Sequence, residues 1–123
     1  GVLDWEMATV GDPLMDLGCT LAYWVEEKDP DWVREYRTMP SDTPGAPARA
    51  EIVERFRQRT GLSVDYFPFY FCFGQFRLAV IGQQIYYRYY HGVTQDERFK
   101  LMVKKTRILK QMCDLIISGK IVS

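Results

Sequence analysis

Apolar residues recur at helical spacing along almost the whole chain. Leu14, Leu17, Leu21 and Trp24 lie on one helical face, with Cys19 and Ala22 nearby. Asp12 and Pro13 supply the start of that helix. Aspartate is a good N-cap, and proline suits the first helical position, where its missing N–H costs nothing. The helix should stop before Asp29-Pro30. Residues 29–47 hold four prolines together with Ser41, Asp42 and Gly45, which predicts a long loop with one short helical turn around Trp32–Tyr36. A second helix is expected from about Pro47 to Thr60, with Ile52, Val53 and Phe56 apolar and Gly61 as its stop. The third and longest is expected over Asp65–Tyr90, with Phe69, Phe73, Phe76, Val80 and Tyr87 as its core face. In that helix Gly74 and Gly82 would let a neighbouring helix approach closely. A fourth, over Asp96–Ser118, carries the stripe Phe99, Met102, Val103, Leu109, Met112 and Ile116 and ends at Gly119.

One segment breaks the pattern. Gly1-Val2-Leu3-Asp4-Trp5 reads as a short β-strand ending on an acid, and no later segment offers it a partner. A lone strand cannot satisfy its backbone hydrogen bonds. The strand's partner is therefore expected outside these 123 residues, and the chain reads as part of a larger domain. The fold class expected is mainly α, with one short N-terminal strand.

Composition narrows the class. At 47% hydrophobic and 26% charged, the chain is globular and neither disordered nor collagenous. Sixteen basic and sixteen acidic residues cancel, so no global charge calls for nucleic acid or an anionic membrane. The charges are nevertheless sorted. Residues 1–31 hold eight acids against Lys28, while residues 97–120 hold seven bases against Glu97 and Asp114. That polarity describes two solvated faces, or an acidic end suited to a cation. Cys19, Cys72 and Cys113 lack metal-binding spacing and point to buried thiols in a reducing compartment; a cytoplasmic protein is expected. The most apolar stretch, Tyr66 to Phe76, is interrupted by Pro68 and Gln75 and falls short of a membrane span.

The candidate chemistry sits near the start. An aspartate closing an apolar strand is held by rigid backbone and aimed into the space beyond it. Magnesium typically takes only one or two protein carboxylates, with phosphate oxygens and water completing its shell. Asp4 fits that role, and Glu6, two positions on, is the candidate for a second cation contact or a held water. Asp12 reads as an N-cap, and Asp16, one turn into the helix, gains from the helix dipole. Arg77 and Arg88 lie among apolar neighbours; Arg77 is a candidate for binding a substrate carboxylate or phosphate, and a buried ion pair is the structural alternative. His91 reads as a polar residue at a helix C-terminus.

The run Val2-Leu3-Asp4-Trp5-Glu6 followed by Gly11-Asp12-Pro13-Leu14-Met15-Asp16-Leu17 resembles the metal-binding segment of the aminoglycoside phosphotransferase-like kinases, a superfamily with choline-kinase-like members. The stretch from Phe73 to Gly92 is similar to the branch found as an N-terminal kinase-like domain of some acyl-CoA dehydrogenases. The resemblance implies a protein-kinase-like C-lobe and an ATP- and magnesium-dependent transfer of a phosphoryl group to a small-molecule hydroxyl. It makes Asp4 the magnesium ligand, with Asp12 and Asp16 bracing the neighbouring catalytic loop and capping the helix. It also implies that the catalytic base lies upstream of Gly1, so no catalytic residue is expected in this chain and the chain alone is expected to be inactive. The hairpin of the third and fourth helices, with the loop before the second, would shape the acceptor pocket. Nucleic acid and membrane are not expected as partners, and self-association through uncovered apolar surface is. The alternative reading is a non-catalytic helical interaction module or pseudokinase remnant. A metal-dependent phosphoester hydrolase would need more ligands converging on Asp4 than a single histidine allows.

Overall fold

The computed structural model describes Gly1 and residues 3–121, apart from the Met7 side chain. Five α-helices follow in order: α1 Pro13–Leu21, α2 Asp31–Arg34, α3 Arg49–Thr60, α4 Phe67–Tyr90 and α5 Met102–Ile117. Short 3-10 turns lie at Trp5–Met7 and at Glu97–Leu101, immediately before α5.

No strand occurs among the described residues, so the short strand expected over residues 1–5 is not seen; Val2 lies outside the described residues, and Trp5 opens a turn instead. Asp4 adopts the left-handed conformation (φ 57°, ψ 41°) and leads into the Trp5–Met7 turn, which is closed by the Ala8 N–H donating to the Trp5 carbonyl at 3.0 Å. Without a neighbouring strand, an extended opening would leave its ladder groups unpaired, and a turn satisfies them locally. Leu3 and Trp5 stand in solvent.

The long α4 is the spine. α1 crosses one side of it so closely that a Cβ built on Gly18 would lie 2.3 Å from the Tyr70 carbonyl oxygen, and one on Gly74 would lie 2.3 Å from that of Gly18. Only glycine at both positions permits this backbone contact. α5 packs on another side, where a Cβ on Gly82 would meet the Thr106 hydroxyl at 3.1 Å. The Thr106 hydroxyl itself donates to the Met102 carbonyl at 2.9 Å, inside α5. The close approaches expected at Gly74 and Gly82 are therefore present.

Leu14, Leu21, Val53, Phe67, Phe71 and Ile116 form the main core, joined by the flanks of Leu17, Trp24, Ile52 and Phe56. A second cluster gathers Val25, Val33 and Met112. The expected faces of α1, α3 and α5 thus turn inward. The expected face of α4 does not: Phe69, Phe76 and Tyr87 are 62%, 58% and 60% exposed. The buried side of α4 is Phe67, Phe71, Gly74, Gln75 and Gly82. A helix that is apolar around its circumference has no unique inward stripe in sequence, and here the glycine contacts choose the face.

The helix expected from Asp12 to beyond Trp24 ends at Leu21. Side chains take up the backbone beyond it. The Ser41 hydroxyl accepts from the Val25 N–H at 2.9 Å and donates to the Val25 carbonyl at 2.8 Å. The Asp29 carboxylate accepts from the Glu26 N–H at 2.9 Å. Other ends follow expectation: Gly61 and Gly119 take positive φ, Asp96 caps the turn before α5, and His91 follows the last residue of α4.

Candidate functional site

Asp4 is the only described non-glycine residue with positive φ. Aspartate tolerates this region better than most residues, and such backbone outliers concentrate at functional positions. Its carboxylate is exposed, and no hydrogen bond or ion pair engages it among the described residues. Glu6 is likewise exposed. No group of three or more acidic, histidine or cysteine side chains converges among the described residues. A site built from one or two carboxylates and phosphate oxygens needs no such cluster. Asp4 therefore fits a hard cation as a single uncommitted ligand.

Asp12 is tied down. Its carboxylate accepts from the Leu14 N–H at 2.9 Å, which caps α1, and from the Tyr70 hydroxyl of α4 at 2.7 Å. The Tyr70 hydrogen bond and then the Leu14 amide hold the Asp12 carboxyl below the usual carboxylate range. The same bond raises the Tyr70 phenol. Asp12 thus fastens the start of α1 to the spine just after the Asp4 turn. Asp16 lies exposed on α1, with Arg77 opposite. Arg77 is also exposed, which removes the buried ion pair as an account of it. The Cys19 side chain, followed by Tyr23 and Asp16, raises its already high pKa. Arg88 is exposed near the end of α4.

A cavity of about 260 Å³ opens between the end of α1, the α2 loop, α4 and α5. Its walls are mostly aliphatic, with Leu78, Ile81, Ile85, Ile108 and Met112 prominent, and Asp29, Arg49, Gln75 and Lys105 reach it. The expected hairpin and loop do form this cavity, but Asp4, Glu6, Asp12, Asp16 and Arg77 are not among its lining residues.

Sequence reading missed the group at the cavity's edge. Arg49, 3% exposed, forks onto Asp29 with both contacts at 2.7 Å and donates to the Trp24 carbonyl at 2.9 Å. Its guanidinium lies 5.2 Å from the centre of the Phe71 ring, and its backbone N–H donates to the buried Glu26 carboxylate. The other Glu26 oxygen lies 3.2 Å from Lys28 Nζ and 3.5 Å from Arg49, at ion-pair range without hydrogen-bond geometry. The Arg49 Nε finds no hydrogen-bond partner among the described residues. The signal was an arginine at the first position of a helix, twenty residues after an Asp-Pro turn, and nothing in the local pattern pairs the two. Between α4 and α5, Cys113 contacts the Cys72 carbonyl at 3.7 Å. Burial, then the Cys72 neighbour, pushes the Cys113 thiol up to about 12. No helix among the described residues is long and apolar enough to cross a membrane.

Residues 1–52 match the model of the phosphotransferase enzyme family, a span that includes Asp4, Glu6, Asp12 and Asp16. The chain is 34% identical over 113 residues to acyl-CoA dehydrogenase family member 10 of Mus musculus, covering 90% of this chain and 10% of that protein. It is 30% identical over 98 residues to family member 11 of Mus musculus and 26% identical over 98 residues to family member 11 of Homo sapiens, in each case covering 78% of this chain and 12% of the relative. It spans about a tenth of the length of the curated relatives it matches. No solved structure matches it. The first 52 residues of this chain are thus similar to the phosphotransferase enzyme family, and most of its length is similar to a small part of acyl-CoA dehydrogenase family members 10 and 11.

Proposed function

We propose that the chain forms part of an ATP- and magnesium-dependent kinase that phosphorylates a hydroxyl of a small molecule. The observation that carries this reading is the family match over residues 1–52, a span that includes the uncommitted Asp4 carboxylate. In this reading Asp4 holds the metal, and Glu6 assists through a second contact or a water. A magnesium ion held there would supply positive charge to offset the charge that develops during phosphoryl transfer. Asp12, through Leu14 and Tyr70, fastens the start of α1 to the spine. Asp16 braces the same end. Arg77, exposed on α4 beside α1, is the candidate contact for an anionic group of the acceptor. The base for the acceptor hydroxyl comes from polypeptide outside these residues. The three free cysteines agree with a cytoplasmic setting.

In the intact protein, Asp4→Asn should lower ATP-dependent turnover by several orders of magnitude while leaving thermal unfolding unchanged. Turnover close to that of the parent protein would remove Asp4 from the site. The 123-residue chain by itself should show no ATP-dependent phosphorylation, and measurable turnover would overturn the division of labour proposed here. The outward aromatics of α4 favour a second reading, a helical interaction module, which predicts that the intact protein lacks phosphoryl transfer altogether.

A further inference from the structure

The cavity between the end of α1, the α2 loop, α4 and α5 combines an aliphatic wall with one uncompensated charge. Leu78 and Ile85 of α4 and Ile108 and Met112 of α5 supply much of the wall. Four charged side chains reach it: Asp29, Arg37, Arg49 and Lys105. Three of them are already paired. Asp29 and Arg49 neutralise each other through two contacts of 2.7 Å, and Arg37 lies 3.2 Å from Asp42. Lys105 is half-buried and makes no ion pair or hydrogen bond among the described residues. The nearest acid along the chain, Glu97, is eight positions away. An ammonium partly withdrawn from water without a counter-charge carries a desolvation cost, which an anion placed beside it offsets.

We propose that this cavity binds a medium-length aliphatic carboxylate, with its chain along the α4–α5 wall and its carboxylate on Lys105 Nζ. The volume sets the length. A dry apolar cavity of about 150 Å³ takes benzene, so one of about 260 Å³ takes roughly ten non-hydrogen atoms, about the size of an eight-carbon acid. The wall sets the chain: aliphatic side chains offer it dispersion contacts and remove it from water.

The charge sets the head group. An amine would meet Lys105 as a like charge, and an alcohol would leave the ammonium without a counter-ion. Arg49 does not compete for the carboxylate, because its guanidinium is engaged by Asp29 and the Trp24 carbonyl. The proposal goes beyond the kinase reading and does not depend on it, since binding needs neither nucleotide nor metal.

Calorimetric titration of the intact protein with sodium octanoate, in the absence of ATP and magnesium, tests it. Saturable binding is expected below about 1 mM, within what roughly ten buried atoms can supply. Octanol keeps only the chain and butyrate mainly the head, and each should bind at least about tenfold more weakly. Lys105→Met should bring octanoate to the level of octanol and leave octanol unchanged, a split that a merely structural lysine would not produce. Lys104→Met, an exposed base outside the cavity wall, should change neither. Ile85→Trp fills the cavity from a half-buried position and should abolish binding of both ligands with an unchanged circular dichroism spectrum. Absence of saturable octanoate binding, octanol bound as tightly as octanoate, or equal losses from Lys104→Met and Lys105→Met would each overturn the proposal. So would undiminished binding in a folded Ile85→Trp.

Discussion

Asp12 is held from two directions, by the amide of its own helix and by a tyrosine hydroxyl 58 positions away in sequence. Both bonds are to the ionised form, so the folded chain keeps this carboxyl charged at a lower pH than the unfolded chain does. The stability it contributes is present above the unfolded carboxyl's pKa and is lost as pH falls through the folded value. Tyr70 has the opposite sign: its raised phenol contributes below its unfolded pKa and is lost as pH rises through the folded one. Tyr70→Phe removes the larger of the two favourable contacts on Asp12. A carboxyl titration followed by NMR should then show the Asp12 pKa moving up toward the ordinary value, and an unmoved titration would mean that the Tyr70 bond does not form in solution. The capping half of this arrangement was legible from Asp12-Pro13 alone. The tyrosine half was not, because a hydroxyl partner on a distant helix leaves no trace in local spacing.

At the scale of elements, two contacts fix how the helices meet. The α1–α4 crossing depends on Gly18 and Gly74. Gly18→Ala or Gly74→Ala must separate the two backbones, and each should cost about 3 kcal/mol or more of unfolding free energy by denaturant titration. Gly11→Ala, where an added Cβ meets nothing, is the matched control and should be near neutral. Equal effects at all three positions would show that the close approach is absent. The sequence reading picked out Gly74 and Gly82 but passed over Gly18. It also took the solvent face of α4 for the core face, since both faces of that helix are aromatic and the choice is made by the partner helix. The second contact is the Arg49 clasp, which ties the loop after α1 to the first turn of α3. Arg49→Leu leaves Asp29 buried without its counter-charge and Glu26 with Lys28 alone, and should destabilise by about 3–5 kcal/mol. The double variant Arg49→Leu/Asp29→Leu removes a charge of each sign and should recover part of that loss. A double variant no more stable than Arg49→Leu would leave the Arg49–Asp29 pairing without energetic weight.

Across the whole molecule, order and candidate chemistry are distributed unequally. The interior centres on α4, where Phe71 is fully buried and Gly74, Gln75 and Gly82 lie beneath α1 and α5. The segment carrying Asp4 is the reverse case: Leu3, Trp5 and Val10 are exposed, and one backbone hydrogen bond closes its turn. Opening free energies follow this kind of difference, being near the global value in packed helices and near zero where few contacts hold the backbone. Amide hydrogen exchange of the 123-residue chain should therefore show residues 71–82 exchanging only through global unfolding, while residues 3–10 exchange almost as fast as a peptide. The kinase reading adds a second expectation. A magnesium ligand must be held in place to be useful, and among the described residues no side-chain contact holds Asp4. In the intact protein the same amides should be protected, and protected further when magnesium and nucleotide are added. Slow exchange of residues 3–10 in the isolated chain would show that the turn is organised without help. Fast exchange that persists in the nucleotide-loaded intact protein would separate the Asp4 segment from the phosphate-binding site.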